Sequence, residues 1–298
     1  WPVLADLVKK PDTGADFRSD AYFGLLRNYR RHGWLILYLF GNSPAICPSF
    51  LQGRRVDYLQ PLAPASLYAP YATSLRMSDL GYRNKSQAGL SVSVNSLDHY
   101  VRDLTAAITT VNPDYERIGV KVDGTYRQLN ANVLQIENEY YSFIRPKRVT
   151  MSGERPTKAL QRGGVQYVEM RSLDVSAFDP VGVNQNKLRF LEAFAAFCVL
   201  RESKPIETSE QAELDGNHGR VAREGRKPGL TLRRDGRDVS LRDWALEIVD
   251  SMRGVCELLD EGDPERHYTT ALDVQAAKVH DVSLTPSARS LLEMRTNE

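Results

Sequence analysis

Several things are scarce in this sequence, and each scarcity excludes a class of protein. Three cysteines stand in 298 residues, at positions 47, 198 and 256, odd in number and far apart, with no CxxC pair. A disulfide scaffold or a zinc ribbon is therefore excluded, and reduced thiols in a cytoplasmic protein are expected. No charge of one sign dominates: the formal net charge is +1, which argues against nucleic acid or an anionic membrane surface as partner. Long hydrophobic runs are missing too. Trp34–Phe40 (WLILYLF) runs for only seven residues, where a membrane-spanning helix needs about 20. There is no GxGxxG and no Walker A loop, so a bound nucleotide has to sit in a more open site. His99, His218, His267 and His280 lack metal-ligand spacing, and His32 lies in an arginine-rich helix.

What is present is an ordinary soluble composition, 42% apolar and 26% charged, in a chain long enough for one large domain. The chain opens on Trp1 and stops at Glu298 just after a helical-looking stretch, which reads as an excerpt of a longer protein.

Residues 17–40 predict an amphipathic helix with Ser19 as N-cap, closed by Gly41, Ser43 and Pro44. Residues 44–70 hold five of the 15 prolines and read as a long loop. Residues 71–93 are polar and aperiodic. Residues 95–110 form a helical stripe (Leu97, Tyr100, Val101, Leu104, Ile108) capped by Asn95 or Ser96. Asp123-Gly124 inside IGVKVDGTYRQLN is a strong hairpin signal. Residues 133–144 alternate like a strand, with Glu137, Glu139 and Tyr141 on one side. A short helix at Thr157–Arg162 ends at Gly163-Gly164 and feeds a second strand, VQYVEMRSLD (165–174). Residues 184–201 and 240–260 are helical again. Strands in the middle with helices on either side predict an α+β fold with antiparallel pairing.

Three stretches carry charge in patterns suited to chemistry. In VQYVEMRSLD, alternation puts Tyr167, Glu169 and Arg171 on one face, either as a solvent-facing ion-pair lattice or as a charged pocket. In ATSLRMSDLGYRNKS, Arg76 and Tyr82 can grip a carboxylate, unless this is an ordinary polar loop. In IRPKR (144–148), Arg145, Lys147 and Arg148 gather at a strand end, as a solvated basic turn or as a phosphate clamp. The basic GRKPGLTL (225–232) is a weaker case of the same kind.

These stretches also resemble one family. SPAICPSFLQGR, YATSLRMSDLGYRNKSQ, NVLQIENEYYSFIRPKRVT, ALQRGGVQYVEMRSLD and EGRKPGLTL are similar, in order and at consistent spacing, to the proteobacterial glutamate–cysteine ligases. The resemblance implies a glutamine-synthetase-like fold, a curved antiparallel sheet with flanking helices. Here that sheet is expected to be incomplete at both ends, within a single catalytic domain over 1–298, sheet-rich over about 71–180 and helical over about 181–298.

It implies ATP-dependent joining of the L-glutamate γ-carboxylate to the L-cysteine amine through a γ-glutamyl phosphate, the first step of glutathione synthesis. Mg2+ is the implied cofactor, and the small-molecule partners are glutamate, cysteine and ATP. By position, Glu169 matches a metal ligand, Arg171 an arginine directed at the transferred phosphoryl group, and Arg76, Tyr82 and Tyr141 the residues holding cysteine. Arg145, Lys147 and Arg148 match the nucleotide side. The resemblance leaves Glu137 and Glu139 without an assigned role. Further acidic metal ligands of the family precede the point where this chain starts, so the chain alone is expected not to turn over. Two alternatives stand beside this reading: a related γ-glutamyl ligase with another amine acceptor, and a non-catalytic scaffold.

Overall fold

A computed structural model describes residues 15–81 and 89–297. Tyr82 therefore lies outside the described residues. In chain order the helices are α1 Ala15–His32, α2 Trp34–Phe40, α3 Leu97–Thr109, α4 Pro113–Ile118, α5 Pro156–Gly163, α6 Gln185–Leu200, α7 Thr208–Glu224, α8 Leu241–Leu259, α9 His267–His280 and α10 Pro286–Thr296. The strands are β1 Ala45–Ile46, β2 Gln60–Ala63, β3 Ser66–Tyr68, β4 Lys121–Val122, β5 Thr125–Tyr126, β6 Ile144–Lys147, β7 Tyr167–Met170, β8 Thr231–Arg234 and β9 Arg237–Ser240. Among the described residues they form one three-stranded sheet, β1-β3-β2, and three antiparallel pairs, β4-β5, β6-β7 and β8-β9. The class is α+β.

The chain divides into two compact units, and each is described by itself. The first comprises Trp1–Arg27, Tyr82–Arg171 and Glu202–Ile206. Its core gathers on α3, whose N-cap Ser96 accepts from the His99 amide at 3.2 Å. Tyr100, Val101 and Leu104 of the predicted stripe are buried, with Ala107 beside them, while Leu97 and Ile108 are half-buried; Tyr100 meets Phe23 and Tyr140 edge-on. Ala159 and Leu160 of α5 are likewise buried. Asp123 and Gly124 both take positive φ (49° and 79°), the backbone that a two-residue hairpin turn requires, so β4-β5 forms where the dipeptide predicts.

Two expectations in this unit are corrected. Ser19 does not cap a helix, because α1 begins upstream of it, and its hydroxyl instead accepts from the Val165 amide at 3.0 Å. Residues 133–144 are not a strand throughout. Glu137–Glu139 make a 3-10 turn, and extended pairing starts only at Ile144. Glu137 is buried there, so the alternation breaks before it can align Glu137, Glu139 and Tyr141 with Glu169.

The second unit comprises Asn28–Gly81, Ser172–Arg201 and Glu207–Glu298. Its centre is α2, every residue of which is buried. Trp34 packs on Trp244 of α8 at 5.0 Å, and Phe40 on Phe190 of α6 at 5.4 Å. A single predicted helix over 17–40 is in fact two, broken at Gly33. There the amide bonds back to Tyr29 O, and an added Cβ would meet that oxygen at 2.5 Å. The predicted loop over 44–70 contains the small β1-β3-β2 sheet. No described helix is long and apolar enough to cross a membrane. The cysteines are free thiols: Cys198 and Cys256 are buried and Cys47 is exposed.

Candidate active site

The candidate site in the first unit is built on one antiparallel pair. Register sets Arg145 opposite Glu169 and Lys147 opposite Tyr167. Directly opposed residues share a face, and residues two apart share it as well. Arg145, Lys147, Tyr167 and Glu169 therefore stand on one side of β6-β7. Arg171 continues the line one step beyond the strand, its amide donating to Phe143 O at 2.8 Å.

The result is one carboxylate among three cations. Arg145 Nη2 is 3.3 Å from the Glu169 carboxylate, Lys147 Nζ 3.5 Å and Arg171 Nε 4.0 Å. Burial pushes the Glu169 carboxyl up, but Arg145, Lys147 and Arg171 together outweigh it and hold it below the usual carboxylate range. Burial, reinforced by Arg145, pulls Lys147 below the usual lysine range. The formal sum on this face is three positive charges less one negative, or +2. Net positive charge on this face attracts an oxyanion.

The cations are not equivalent. Arg145 is buried, and its guanidinium also donates to Tyr140 O (2.8 Å) and Asn138 O (3.3 Å), tying down the turn before β6. Arg148 turns its fork to the end of α5, donating to the carbonyls of Gly163 and Gly164. Arg171 is about one-third exposed and lies over the Tyr141 ring at 5.1 Å, a cation–π contact that aims the guanidinium along the face. Lys147 and Arg171 are more exposed on this face than Arg145. Of the sequence-predicted residues, this unit brings together Glu169, Arg171, Tyr141, Arg145 and Lys147.

The carboxylate of Glu137 accepts from the Thr157 amide (2.8 Å) and hydroxyl (2.7 Å), acting as a remote cap for the first turn of α5. Glu139 accepts from the Gln135 amide at 2.8 Å.

Arg76 belongs to the second unit. It forks onto Asp174 Oδ1 (2.6 Å) and Leu173 O (3.0 Å). Asp174 is buried and also takes the Asn42 amide and the Ser43 hydroxyl. Sequence reading missed Asp174, although it closes the same VQYVEMRSLD string. Strand alternation sets it on the face opposite Glu169, but the observed strand ends at Met170, and only the fold supplies its partners.

As a metal centre, this donor set falls short. Magnesium takes about six oxygen ligands. Glu169 offers one carboxylate already surrounded by cations, and among the described residues no three His, Cys, Asp or Glu side chains come together. The residues fit a single ligand position.

Residues 1–221 match the family model described as glutamate-cysteine ligase. The chain belongs to the glutamate–cysteine ligase family. A glutamate–cysteine ligase of Pseudomonas putida is 48% identical over 298 residues, covering 100% of this chain and 57% of the relative. One from Pseudomonas paraeruginosa is 49% identical over 295 residues, covering 99% of this chain and 56% of the relative. The chain thus spans somewhat more than half the length of the curated ligases it matches.

A crystal structure of the Francisella tularensis glutamate–cysteine ligase in complex with AMP superposes with a TM-score of 0.86 at 35% identity, over 99% of this chain and 61% of that one. A bifunctional glutathione synthetase from Pasteurella multocida shares the fold, with a TM-score of 0.69 at 20% identity over 99% of this chain and 32% of that one.

Proposed function

We propose that this chain contributes part of the active site for ATP-dependent ligation of the L-glutamate γ-carboxylate to the L-cysteine amine. The observation that carries the reading is the +2 face of β6-β7, on which Arg171 and Lys147 are more exposed than Arg145. The AMP-bound ligase of similar fold supports a nucleotide as co-substrate.

A carboxylate is a poor acyl donor because its charge repels an incoming amine. Transfer of the ATP γ-phosphoryl group to a γ-carboxylate oxygen gives γ-glutamyl phosphate and ADP. The cysteine amine then attacks the acyl carbon, the C–O bond to phosphate breaks, and inorganic phosphate leaves as the amine loses a proton. Negative charge spreads over the transferring phosphoryl oxygens, so fixed cations aimed there lower the barrier.

Arg171 takes the role of contacting those oxygens, with Tyr141 holding its guanidinium plane. Lys147 faces the nucleotide phosphates, and Arg145 fixes the position of Glu169. Bound magnesium would neutralise phosphate charge, and Glu169 would offer it at most one carboxylate oxygen. Binding of the cysteine is proposed for Arg76, Tyr82 and Tyr141 on the resemblance to the family alone. A cytoplasmic setting is proposed for the enzyme.

The test is ADP release in a chain completed to the length of the relatives, given glutamate, ATP and a series of amines. Fastest release with cysteine supports the reading. Equal release with amines lacking a carboxylate points to a different acceptor, and no release with any amine contradicts it.

A further inference from the structure

A cavity of about 160 Å3 opens in the second unit among the loop before α6, the helices α6 and α9, and the start of α10. Lys187, Lys278, Gln275, Asp179 and Arg289 line it. Its polar groups are out of balance. Lys187 and Lys278 are both buried, at 6% and 9% exposure, and a buried ammonium is costly unless paired. Lys187 has its partner, Asp179, which also accepts from Asn184 at 2.9 Å. Among the described residues no carboxylate lies within ion-pair distance of Lys278, and Asp179, which acts on it from farther off, is paired with Lys187. Lys278 donates to Leu39 O at 3.2 Å and lies over the Phe40 ring at 5.0 Å, which leaves N–H groups unspent.

One turn earlier on the same helix, Gln275 is 1% exposed, and its side-chain oxygen has no hydrogen-bond partner. An amide can be turned over in place, so either its oxygen or its NH2 can face the cavity. With Lys278 protonated, the formal lining charges are +3 from Lys187, Lys278 and Arg289, less 1 from Asp179, or +2.

We propose that this cavity is a binding site for a small oxyanion, a phosphate or carboxylate group. Lys278 donates to it from α9, Lys187 from α6, and the Gln275 amide donates through its NH2. The cavity far exceeds the volume one water needs, about 15 Å3, so there is room for such a group. Arg289, exposed at the rim over Phe178, adds attraction at the entrance. Burial, reinforced by Lys187, holds the Lys278 amine down to about 7, as expected of an ammonium still waiting for a counter-charge. A bound anion would raise it. The groups that face this amine are Lys187 and Asp179, Arg289 of α10, and the Leu39 carbonyl and Phe40 ring of α2.

The test titrates the 298-residue chain at pH 7 and constant ionic strength with inorganic phosphate or acetate, against chloride. Thermal unfolding and mass-spectrometric reductive methylation of Lys278 are the readouts. The proposal expects a saturable rise in Tm with at least one oxyanion, and protection of Lys278 over the same range. A response to phosphate alone identifies a phosphoryl ligand, and one to acetate alone a carboxylate. Lys278→Met should weaken the response about tenfold or more, the scale of one hydrogen bond to a charged group. If Lys278→Met does not fold, Gln275→Leu and protection in the wild type decide. An unsaturated, chloride-like response without protection overturns the proposal, as does an undiminished response in Lys278→Met.

Discussion

Arg145 and Glu169 stand directly opposite each other on β6 and β7, with the guanidinium 3.3 Å from the carboxylate. The contact is lopsided. Arg145 is buried and spends other donors on the Tyr140 and Asn138 carbonyls, whereas Glu169 is more than one-third exposed and open to further partners. Arg145→Ala should therefore cost about 1–3 kcal/mol of stability by leaving those carbonyls unpaired. Urea unfolding of the 298-residue chain measures it, and a loss below about 0.5 kcal/mol would show that the turn does not depend on Arg145.

Glu137, without an assigned role in sequence, has a structural one. Its carboxylate receives both the amide and the hydroxyl of Thr157 at the start of α5. Glu137→Ala should destabilise by about 2–3 kcal/mol, and Glu137→Gln by less, because the amide oxygen still accepts. Chemical denaturation compares the two. Equal stability of Glu137→Ala and wild type would remove the capping role.

His32 gives a pH dependence with a defined sign. It is buried against Phe197 and Trp244, and its Nδ1 has no partner. Burial first, then Arg201, Arg31 and Arg234, lowers its pKa to about 3. The unfolded chain takes up this proton near pH 6.5, while the folded chain refuses it until about pH 3. The folded value lies below the unfolded one, so the contribution is complete above about 6.5 and drains away as pH falls toward 3. The slope is about 1.4 kcal/mol per pH unit from this group. His32→Met should flatten the stability profile in that window, as read from unfolding midpoints at successive pH values. An unchanged slope would mean that His32 is not the group responsible.

Arg76 and Asp174 should behave as one unit. Arg76→Ala strips a buried carboxylate of its cation and leaves only the Asn42 and Ser43 donors. A loss of about 2–4 kcal/mol is expected, with Asp174→Asn similar and the double variant well short of the sum. Additive losses would show that the pair is not coupled. A substrate-binding arginine with no structural duty would leave Tm unmoved, so unfolding separates the two roles.

Local signals were legible wherever the chain itself provides the partner. Ser96 caps α3, and Asp123-Gly124 turns β4 into β5, because both act within a few residues. The same dipeptide at Asp235-Gly236 turns β8 into β9 with φ of 51° and 74°, yet its flanks (LRRDGRDVS) carry charge rather than an apolar alternation, so the sequence signal for this hairpin is weak. Helix α7 was missed for the opposite reason. TSEQAELDGNHGRVARE has two glycines and a faint apolar stripe, and tertiary contact stabilises it, through amides of Thr73 and Ser74 donating to Ala222 O.

The face of Glu169 and Arg171 was legible because strand alternation is a two-residue rule. That Arg145 and Lys147 stand across from it was not, since register depends on how two distant segments meet. Glu137 was misplaced because alternation in sequence does not forbid a 3-10 turn.

The most direct measurement is kcat of Arg171→Ala in a chain completed to the length of the relatives, followed by ADP release with glutamate, cysteine and ATP saturating. The account predicts a fall in kcat of about 10²–10³ with KM for cysteine within a few-fold of wild type, because the guanidinium meets its partner most strongly as phosphoryl charge develops. An unchanged kcat would contradict it.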